Sequence, residues 1–226
     1  MDYKSRMNQE ILQVKPSGIR KFFDIASEMN NVISLSIGEP DFTTPFHVRA
    51  EGIRTLEQGK TFYSPNRGFT ALREEIVNWM ERKYHVAYHP ESEVLVTVGG
   101  SEAIDLAIRC LVNPGDEVLI PQPSFVCYVP LTQIKAEDQF RLTAKALREK
   151  ITPKTKLLVL PFPNNPTGAV MRRKDLEEIA EVVREHDLLV LSDEIYSELT
   201  YGDTPHVCFS EIEGMWERTV VINGFS

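Results

Sequence analysis

Short apolar runs without polar and apolar alternation recur along the chain, and longer amphipathic stretches separate them. They are found at Glu117–Ile120, Lys156–Leu160, Leu188–Leu191 and Thr219–Ile222. A strand that is apolar on both faces is buried between two layers, and parallel strands need helical crossovers between them. The pattern therefore predicts an α/β fold with three layers, α/β/α, around a mostly parallel sheet.

The amphipathic stretches supply the predicted helices. One stretch follows the helical i, i+3, i+4, i+7 spacing with apolar residues at Leu176, Ile179, Ala180 and Val183. Another helix is expected between Pro45, which suits a first turn, and Gly59, which suits an end. The remaining predicted helices are Gly18–Met29, Thr70–Tyr84 and Gly99–Val112, and the remaining predicted strands are Val32–Leu35 and Glu93–Val98. The helix Thr70–Tyr84 carries Leu72, Ile76, Trp79, Met80 and Lys83 at helical spacing, which makes an amphipathic face.

Charge and composition exclude several classes of protein. The chain carries 25 Lys and Arg against 33 Asp and Glu, a net charge of −8 with no basic cluster, so nucleic acid is not expected as a partner. It has no apolar run of the ~18 residues that span a bilayer, and its start lacks the apolar segment of a secretory signal. Unclustered Cys110, Cys127 and Cys208 fit reduced thiols in the cytoplasm. His85 and His89 lack a third ligand nearby, so no zinc site is expected.

Ligands of open parallel sheets bind at the carboxyl ends of the strands, so the residues that follow each predicted strand are the candidates for function. Gly99, Gly100 and Ser101 follow Val98 and open a helix. A helix N-terminus offers free N–H groups to a phosphate, although a glycine loop with a serine cap has the same sequence. The stretch is neither GxGxxG nor GxxxxGK[ST], which disfavours a dinucleotide or a P-loop site.

Three other strand ends carry distinctive side chains. Asn165 lies in a Pro- and Asn-rich segment after Leu160, Asp193 and Tyr196 follow Leu191, and Phe125 follows a strand that ends near Pro121. Each has a plain structural explanation as a turn, a helix cap or core packing. Together they describe a phosphate cradle, an aromatic wall, a fixed amide, a buried acid and a phenol. A planar, phosphorylated, protonated heterocycle such as pyridoxal 5'-phosphate fits this set.

At this point the chain resembles the class I/II aminotransferases of pyridoxal-phosphate fold type I. The matching stretches run in family order from about Ile33 to Ser226: SLSIGEPDFTTP, YSPNRGFTALREEI, VTVGGSEAI, PGDEVLIPQPSF, PFPNNPTGAV, SDEIYSEL and VVINGFS. NNPTG together with SDEIY is the most specific part. The resemblance implies an incomplete large, cofactor-binding domain over residues 46–226. It also implies an N-terminal arm and part of a small domain over residues 1–45.

The resemblance implies a role for each matching residue at the cofactor. Gly100 and Ser101 would hold the phosphate, and Phe125 would stack on the pyridine ring. Asp193 would pair with the ring N–H and Tyr196 would bond the phenolic oxygen of the ring. Asp193 and Tyr196 are thus the expected catalytic residues of this chain.

Three further roles are implied at the substrate and between subunits. Asn165 would bond the phenolic oxygen and the substrate carboxylate, and Gly38 would lie at that carboxylate. Tyr63 would reach the phosphate of the other subunit, which implies a homodimer with shared sites. The peptide bond between Asn165 and Pro166 is expected to be cis, again by resemblance.

The chain departs from the family pattern in two places. The family motif continues after NGFS with the lysine that forms the Schiff base, and this sequence ends at Ser226. We therefore expect a fragment that is inactive alone. The stretch Leu131–Phe140 is short by roughly ten residues, about one strand and its turn, which would leave a gap in the sheet or force a repair.

The implied activity is transfer of an amino group between an amino acid and a 2-oxo acid. One alternative is a lyase or decarboxylase on the same fold, because such enzymes share the cofactor set. Another is a non-catalytic regulatory protein that retains the pocket. A third has Lys156 or Lys174 replace the missing lysine, although a solvated charge is the usual role at such positions. The sequence does not choose the amino acid donor.

Overall fold

The computed structural model describes residues 4–8, 12, 25, 29, 42–128, 132–135 and 140–225. The chain divides into two compact units, Met1–Phe62 and Tyr63–Ser226. The predicted helix Gly18–Met29 and strand Val32–Leu35 fall largely outside the described residues, and Gly38 lies outside them. The assignment of residues 1–45 and 46–226 to different domains stays a prediction.

The first unit contains helix α1, Phe46–Glu57, which agrees with the predicted start and end. Pro45 occupies the N-cap position, where its missing N–H costs no helical hydrogen bond. Gly59 has a φ of +68°, a conformation that glycine adopts without strain, and the chain leaves the helix there.

The second unit is built on a sheet of five parallel strands in the order β2-β1-β3-β4-β5. The strands are β1 Glu117–Gln122, β2 Thr132–Lys135, β3 Thr155–Pro161, β4 Leu189–Asp193 and β5 Thr219–Ile222. This confirms the predicted α/β class with a mostly parallel sheet. Because β3 and β4 have neighbours on both sides, their carboxyl ends lie at the middle of one sheet edge.

Helices cover both faces of this sheet, and the strands supply apolar side chains to each. The helices are α2 Thr70–Tyr84, α3 Gly99–Leu111, α4 Ala144–Arg148 and α5 Arg173–Glu185. Leu158 and Leu160 of β3 pack in the cluster that contains the apolar face of α5, whereas Leu157 and Val159 pack in the cluster that contains Ile104 of α3. Alternate residues thus enter opposite layers, which explains why the strand is apolar throughout.

The predicted face of α5 is confirmed, and that of α2 is partly wrong. Helix α2 has the predicted bounds, but its buried residues are Arg73, Val77, Met80 and Tyr84. Lys83 is exposed and pairs with Glu198 at 3.0 Å. The buried face of α2 therefore differs from the predicted apolar face. It includes Arg73, whose guanidinium donates to the carbonyls of Gly68 and Pro90 and to the carboxylate of Glu91.

The predicted strand Glu93–Val98 is wrong. No strand of the described residues pairs with it, and its one backbone bond to another segment runs from Val96 N to Arg67 O at 3.2 Å. Leu95 and Val98 are 53% and 90% exposed. A β-rich sequence forms a strand only where a neighbour completes the ladder, so local propensity is insufficient here.

The stretch Leu131–Phe140, which was expected to be short, supplies an edge strand. Strand β2 pairs with β1 in register Leu119 to Thr132 through Gln122 to Lys135. Of the two expected outcomes, a gap or a repair, the described residues show a strand in place. Helix α4, which the periodicity did not reveal because it is a single short turn, follows; Thr143 caps it by accepting from Ala146 N at 3.2 Å.

Replacement of Ile179 by Ala tests the packing of α5 on the sheet. Ile179 is 0% exposed, so we expect Ile179→Ala to lower the free energy of unfolding by about 2–5 kcal/mol through lost burial and a residual cavity. Glu178→Ala, on the exposed face of the same helix, should change it by less than about 0.5 kcal/mol. Urea unfolding measures both, and equal effects would contradict this account of the core.

Candidate functional site

A pocket of about 180 Å³ opens at the carboxyl edge of the sheet. Its wall is made of residues that follow β1, β3 and β4 and of the first turns of α3. The lining residues are Gly100, Ser101, Ile104, Phe125, Tyr128, Pro161, Pro163, Asn165, Asp193, Ile195 and Tyr196. Residues that are up to 96 positions apart in sequence, Gly100 and Tyr196, thus meet around one hollow, as the topology of a parallel sheet requires.

Six residues predicted from the sequence line this pocket together: Gly100, Ser101, Phe125, Asn165, Asp193 and Tyr196. Tyr63 does not line it; its side chain is fully exposed, at 104%. Gly38 is not among the described residues. Lys156 pairs with Asp116 at 3.3 Å near the amino end of β3, and Lys174 is exposed on α5, so neither lysine reaches the pocket.

Asp193, the last residue of β4, is the acid of the pocket. It is 8% exposed, and its Oδ1 accepts from Ile195 N at 3.2 Å while Tyr128 donates its hydroxyl to Oδ2. Burial raises the pKa of the carboxyl, the Tyr128 and Ile195 hydrogen bonds oppose that rise, and the charge of Glu194 adds to it. No ion pair of the described residues includes Asp193, so this buried carboxylate has hydrogen bonds but no cation.

Tyr128 is a pocket residue that the sequence analysis missed. It closes a single 3₁₀ turn, Val126–Tyr128, and is 1% exposed. Burial, followed by the negative charge of Asp193, raises the pKa of its hydroxyl, so it acts as a neutral donor. Its ring meets the Phe125 ring edge to face, with centroids 6.4 Å apart. Its position one turn after Phe125 is the signal that could have revealed it.

The two asparagines of the Asn164–Asn165 pair have different contacts. Asn164 is 5% exposed; its Nδ2 donates to the carbonyls of Pro123 and Pro161 at 3.3 Å each, and its Oδ1 accepts from Thr167 Oγ1 at 2.8 Å. These hydrogen bonds of Asn164 hold the loop after β3 in place. Asn165 is left to face the pocket, where its Nδ2 donates to Tyr196 Oη at 3.3 Å.

Three X–Pro bonds near these strand ends are cis. They are Gln122–Pro123, Phe162–Pro163 and Asn165–Pro166. The cis bond expected after Asn165 is therefore confirmed. The other two were not predicted.

The N-terminus of α3 forms one end of the pocket. The helix begins at Gly99, whose φ is +79°, and Glu102 accepts a hydrogen bond from Val98 N. The first backbone N–H groups of a helix have no partner within it, so Gly100 and Ser101 present donors at the pocket. A Cβ at Gly100 would lie 3.7 Å from Ile222 Cγ2, an ordinary contact, so the packing by itself does not demand glycine there.

A larger depression, about 560 Å³, lies elsewhere on the second unit. It is lined by Arg184, Leu189, Gly214, Glu217 and Arg218. Leu189 is the first residue of β4, so this depression lies at the amino ends of the strands, the edge that parallel sheets do not use for ligands. We therefore assign the functional site to the smaller pocket.

The described residues contain neither a metal-binding cluster nor a membrane-spanning helix. No three His, Cys, Asp or Glu side chains there group closely enough to hold a metal ion. No helix there is long and apolar enough to cross a bilayer.

Residues 30–226 match the family model described as aminotransferase class I and II. The chain belongs to this aminotransferase family. Members of class I and II depend on pyridoxal 5'-phosphate. The family match extends over the whole second unit and therefore includes every residue that lines the pocket.

Named relatives of this aminotransferase chain agree with the assignment. An aspartate aminotransferase of Pyrococcus abyssi is 42% identical over 97% of this chain and 59% of its own length. An aromatic-amino-acid aminotransferase of Thermococcus litoralis is 40% identical over 97% and 59%. A solved aspartate aminotransferase from Thermus thermophilus with maleate superimposes with a TM-score of 0.89 at 34% identity, over 96% and 60%. The chain thus spans about three fifths of the length of these relatives.

The pocket residues fit the family cofactor on chemical grounds. A carboxylate that is buried without a cation is costly, and a protonated ring nitrogen would supply the missing positive charge at Asp193. The exposed face of Phe125, at 38%, offers a flat apolar surface for a ring. Asn165 and Tyr196 supply hydrogen-bond donors, and the α3 N-terminus suits a phosphate.

The raised pKa of Asp193 predicts how Asp193→Asn changes stability with pH. In the ligand-free protein the folded state holds the Asp193 proton more tightly than the unfolded state does, so wild-type stability falls as pH rises from the unfolded value of about 3.9 through the folded pKa. Asp193→Asn lacks this loss, so its stability advantage over wild type should grow from pH 4 to pH 7 in urea unfolding.

Asp175→Asn is the control with the opposite sign. Arg172 hydrogen bonds hold the pKa of Asp175 below its usual value, so its contribution is present above the unfolded pKa and is lost as pH falls through the folded pKa. Asp175→Asn should therefore destabilise the protein most at neutral pH. A pH-independent difference for Asp193→Asn would contradict the burial account.

Proposed function

We propose that the complete protein is a pyridoxal-phosphate-dependent aminotransferase that moves an amino group between an amino acid and a 2-oxo acid. The observation that carries the proposal is the meeting of Ser101, Asn165, Asp193 and Tyr196 around one pocket. The family membership of the chain and the names of its relatives support it. The relatives are named for different amino acids, so the proposal leaves the donor open.

In this proposal each pocket residue holds one part of the cofactor. Gly100 and Ser101 bind the phosphate at the α3 N-terminus, and Phe125 covers one face of the ring. Asn165 and Tyr196, which already share a hydrogen bond, donate to the phenolic oxygen of the ring. When bound, the cofactor supplies an electron sink for the bonds at the substrate α-carbon.

Asp193 is the central catalytic residue of this proposal. Its carboxylate keeps a proton on the ring nitrogen, and it does so strongly because burial removes competing water. The hydroxyl of Tyr128 and the N–H of Ile195 fix both carboxylate oxygens, so the acid is oriented before the ring arrives. This preorganisation avoids a reorientation cost during the reaction.

The substrate carboxylate is proposed to contact Asn165 and Gly38. We further propose that residues 1–226 alone do not turn over substrate. Proton transfer at the α-carbon needs a basic side chain beside the pocket, and among the described residues no lysine lines it.

We also propose a cytoplasmic homodimer. Free thiols at Cys110, Cys127 and Cys208 suit a reducing compartment. Burial, and then the charge of Asp193, raises the pKa of the Cys127 thiol to about 12, so that thiol stays protonated. The fully exposed ring of Tyr63 is available to a second subunit, and the YSPNRG motif that carries it supports a contact with the partner's phosphate site.

An assay of the full-length protein with an amino acid panel and 2-oxoglutarate tests the activity. We expect cofactor-dependent formation of a keto acid and glutamate, with kcat reduced about 10²–10³-fold in Asp193→Ala because an electrostatic partner of the ring is lost. Asp187→Ala, which removes an exposed carboxylate paired with Arg218, should leave kcat unchanged. Release of ammonia or carbon dioxide would instead indicate a lyase or decarboxylase. Failure to bind the cofactor would indicate a non-catalytic protein.

A mixing experiment tests the shared site. If Tyr63 serves the partner's pocket, the full-length variants Tyr63→Phe and Asp193→Ala should each be impaired, and a reassorted equimolar mixture should recover about a quarter of the wild-type sites in its hybrid dimers. Titration of active sites in the mixture measures this fraction. A mixture no more active than the average of the two variants would contradict the shared site.

A further inference from the structure

Glu194, the neighbour of Asp193, is a buried carboxylate that the proposed chemistry does not use. Its side chain is 1% exposed, and Glu194 is not among the residues that line the pocket. Oε1 accepts from Ser192 Oγ at 2.7 Å and from Phe209 N at 3.0 Å, and Oε2 lies 2.8 Å from His206 Nε2. A carboxylate only accepts, so the imidazole carries its hydrogen on Nε2 and donates it.

The pair is costly for a purely structural contact. The His206 side chain is 8% exposed, and the Tyr84 ring packs edge to face on it with centroids 5.6 Å apart. Apolar residues of similar volume often stabilise such a position as well as an ion pair does. A buried pair whose two carboxylate oxygens both accept hydrogen bonds instead specifies one arrangement of the backbone that carries it.

The backbone of Glu194 connects Asp193, the acid of the pocket, with the turn that carries Tyr196, its phenol. Its N–H donates to Ile222 O at 2.8 Å, and its carbonyl accepts from Ser197 N at 2.9 Å, which closes the turn that carries Tyr196. The next N–H, that of Ile195, holds Asp193 Oδ1. A displacement of Glu194 would therefore move the donor that orients Asp193.

We propose that the Glu194–His206 pair is a positioning unit that fixes the Asp193 carboxylate against the ring nitrogen of the cofactor. The inference rests on the proposed function, because it assigns Asp193 to that nitrogen. Four other titratable groups interact electrostatically with Glu194: Tyr84, Tyr88, Cys208 and, on the pocket side, Asp193. His206 and Glu194 act through Asp193 and touch no reacting atom.

The test uses full-length protein with pyridoxamine 5'-phosphate labelled with nitrogen-15 in the ring, which needs no lysine to bind. In wild type the chemical shift should report a protonated ring nitrogen across neutral pH. Glu194→Gln should lower the pH at which the ring loses its proton by about one unit, since it removes a nearby charge and loosens Asp193. It should also lower kcat about 10- to 100-fold at nearly constant KM for the amino donor.

Two variants of His206 separate positioning from simple loss of stability. His206→Leu removes the donor to Oε2 and so loosens the turn that orients Asp193; it should therefore shift both readouts in the same direction as Glu194→Gln. His206→Gln keeps an N–H donor within reach and should restore the wild-type ring titration. Glu198→Gln, an exposed acid bound to Lys83, is the matched control and should change neither readout.

A second measurement, made without ligand, tests the link between Glu194 and Asp193 independently of cofactor binding. Carbon-13 NMR of the Asp193 carboxyl should show a lower pKa in Glu194→Gln than in Glu198→Gln, because the Glu194 charge raises it. Wild type that fails to bind the labelled ligand would overturn the proposed function, and this arm would still decide whether Glu194 controls Asp193. Folded Glu194→Gln and His206→Leu with wild-type ring and carboxyl titrations would overturn the positioning role. If Glu194→Gln does not fold, the comparison of His206→Leu with His206→Gln decides it.

Discussion

A carboxylate withheld from water at the end of a central strand is the interaction on which the site depends. Asp193 is buried because β4 has strands on both sides and helices on both faces. Burial makes the carboxylate costly to the ligand-free protein and, for the same reason, a strong partner for a cationic ring. Among the described residues no cation pairs with Asp193, so a cationic ligand would supply the missing positive charge.

Asp193 and its neighbour Glu194 each belong to a hydrogen-bonded network. On the pocket side, the Tyr128 hydroxyl and the Ile195 N–H fix the two oxygens. Glu194 is tied to His206 and to the backbone of Phe209. Asp193 is the last residue of β4 and Glu194 follows it, so one dipeptide carries a side chain that lines the pocket and a side chain that bonds to the surrounding scaffold.

Much of the fold could be predicted because periodicity is a local property that survives in the folded state. The spacing of apolar residues in α5 and the unbroken apolar runs of the four strands predicted which faces are buried, and those faces are buried in the structure. The segment Glu93–Val98 shows where this stops, since a strand exists only with a neighbour. Helix α2 shows a second limit, because the buried Arg73 is satisfied by distant carbonyls that no local pattern reveals.

The sequence by itself determined the candidate residues of the pocket. The topology places the carboxyl ends of parallel strands together, and the residue types found there indicate which chemical groups they can bind. Only the tertiary structure decided the remaining contacts. It placed Tyr128 on Asp193, divided the work between Asn164 and Asn165, and paired Glu194 with His206. Those contacts join residues from separate segments, and their existence depends on distances of a few ångströms that spacing along a chain does not specify.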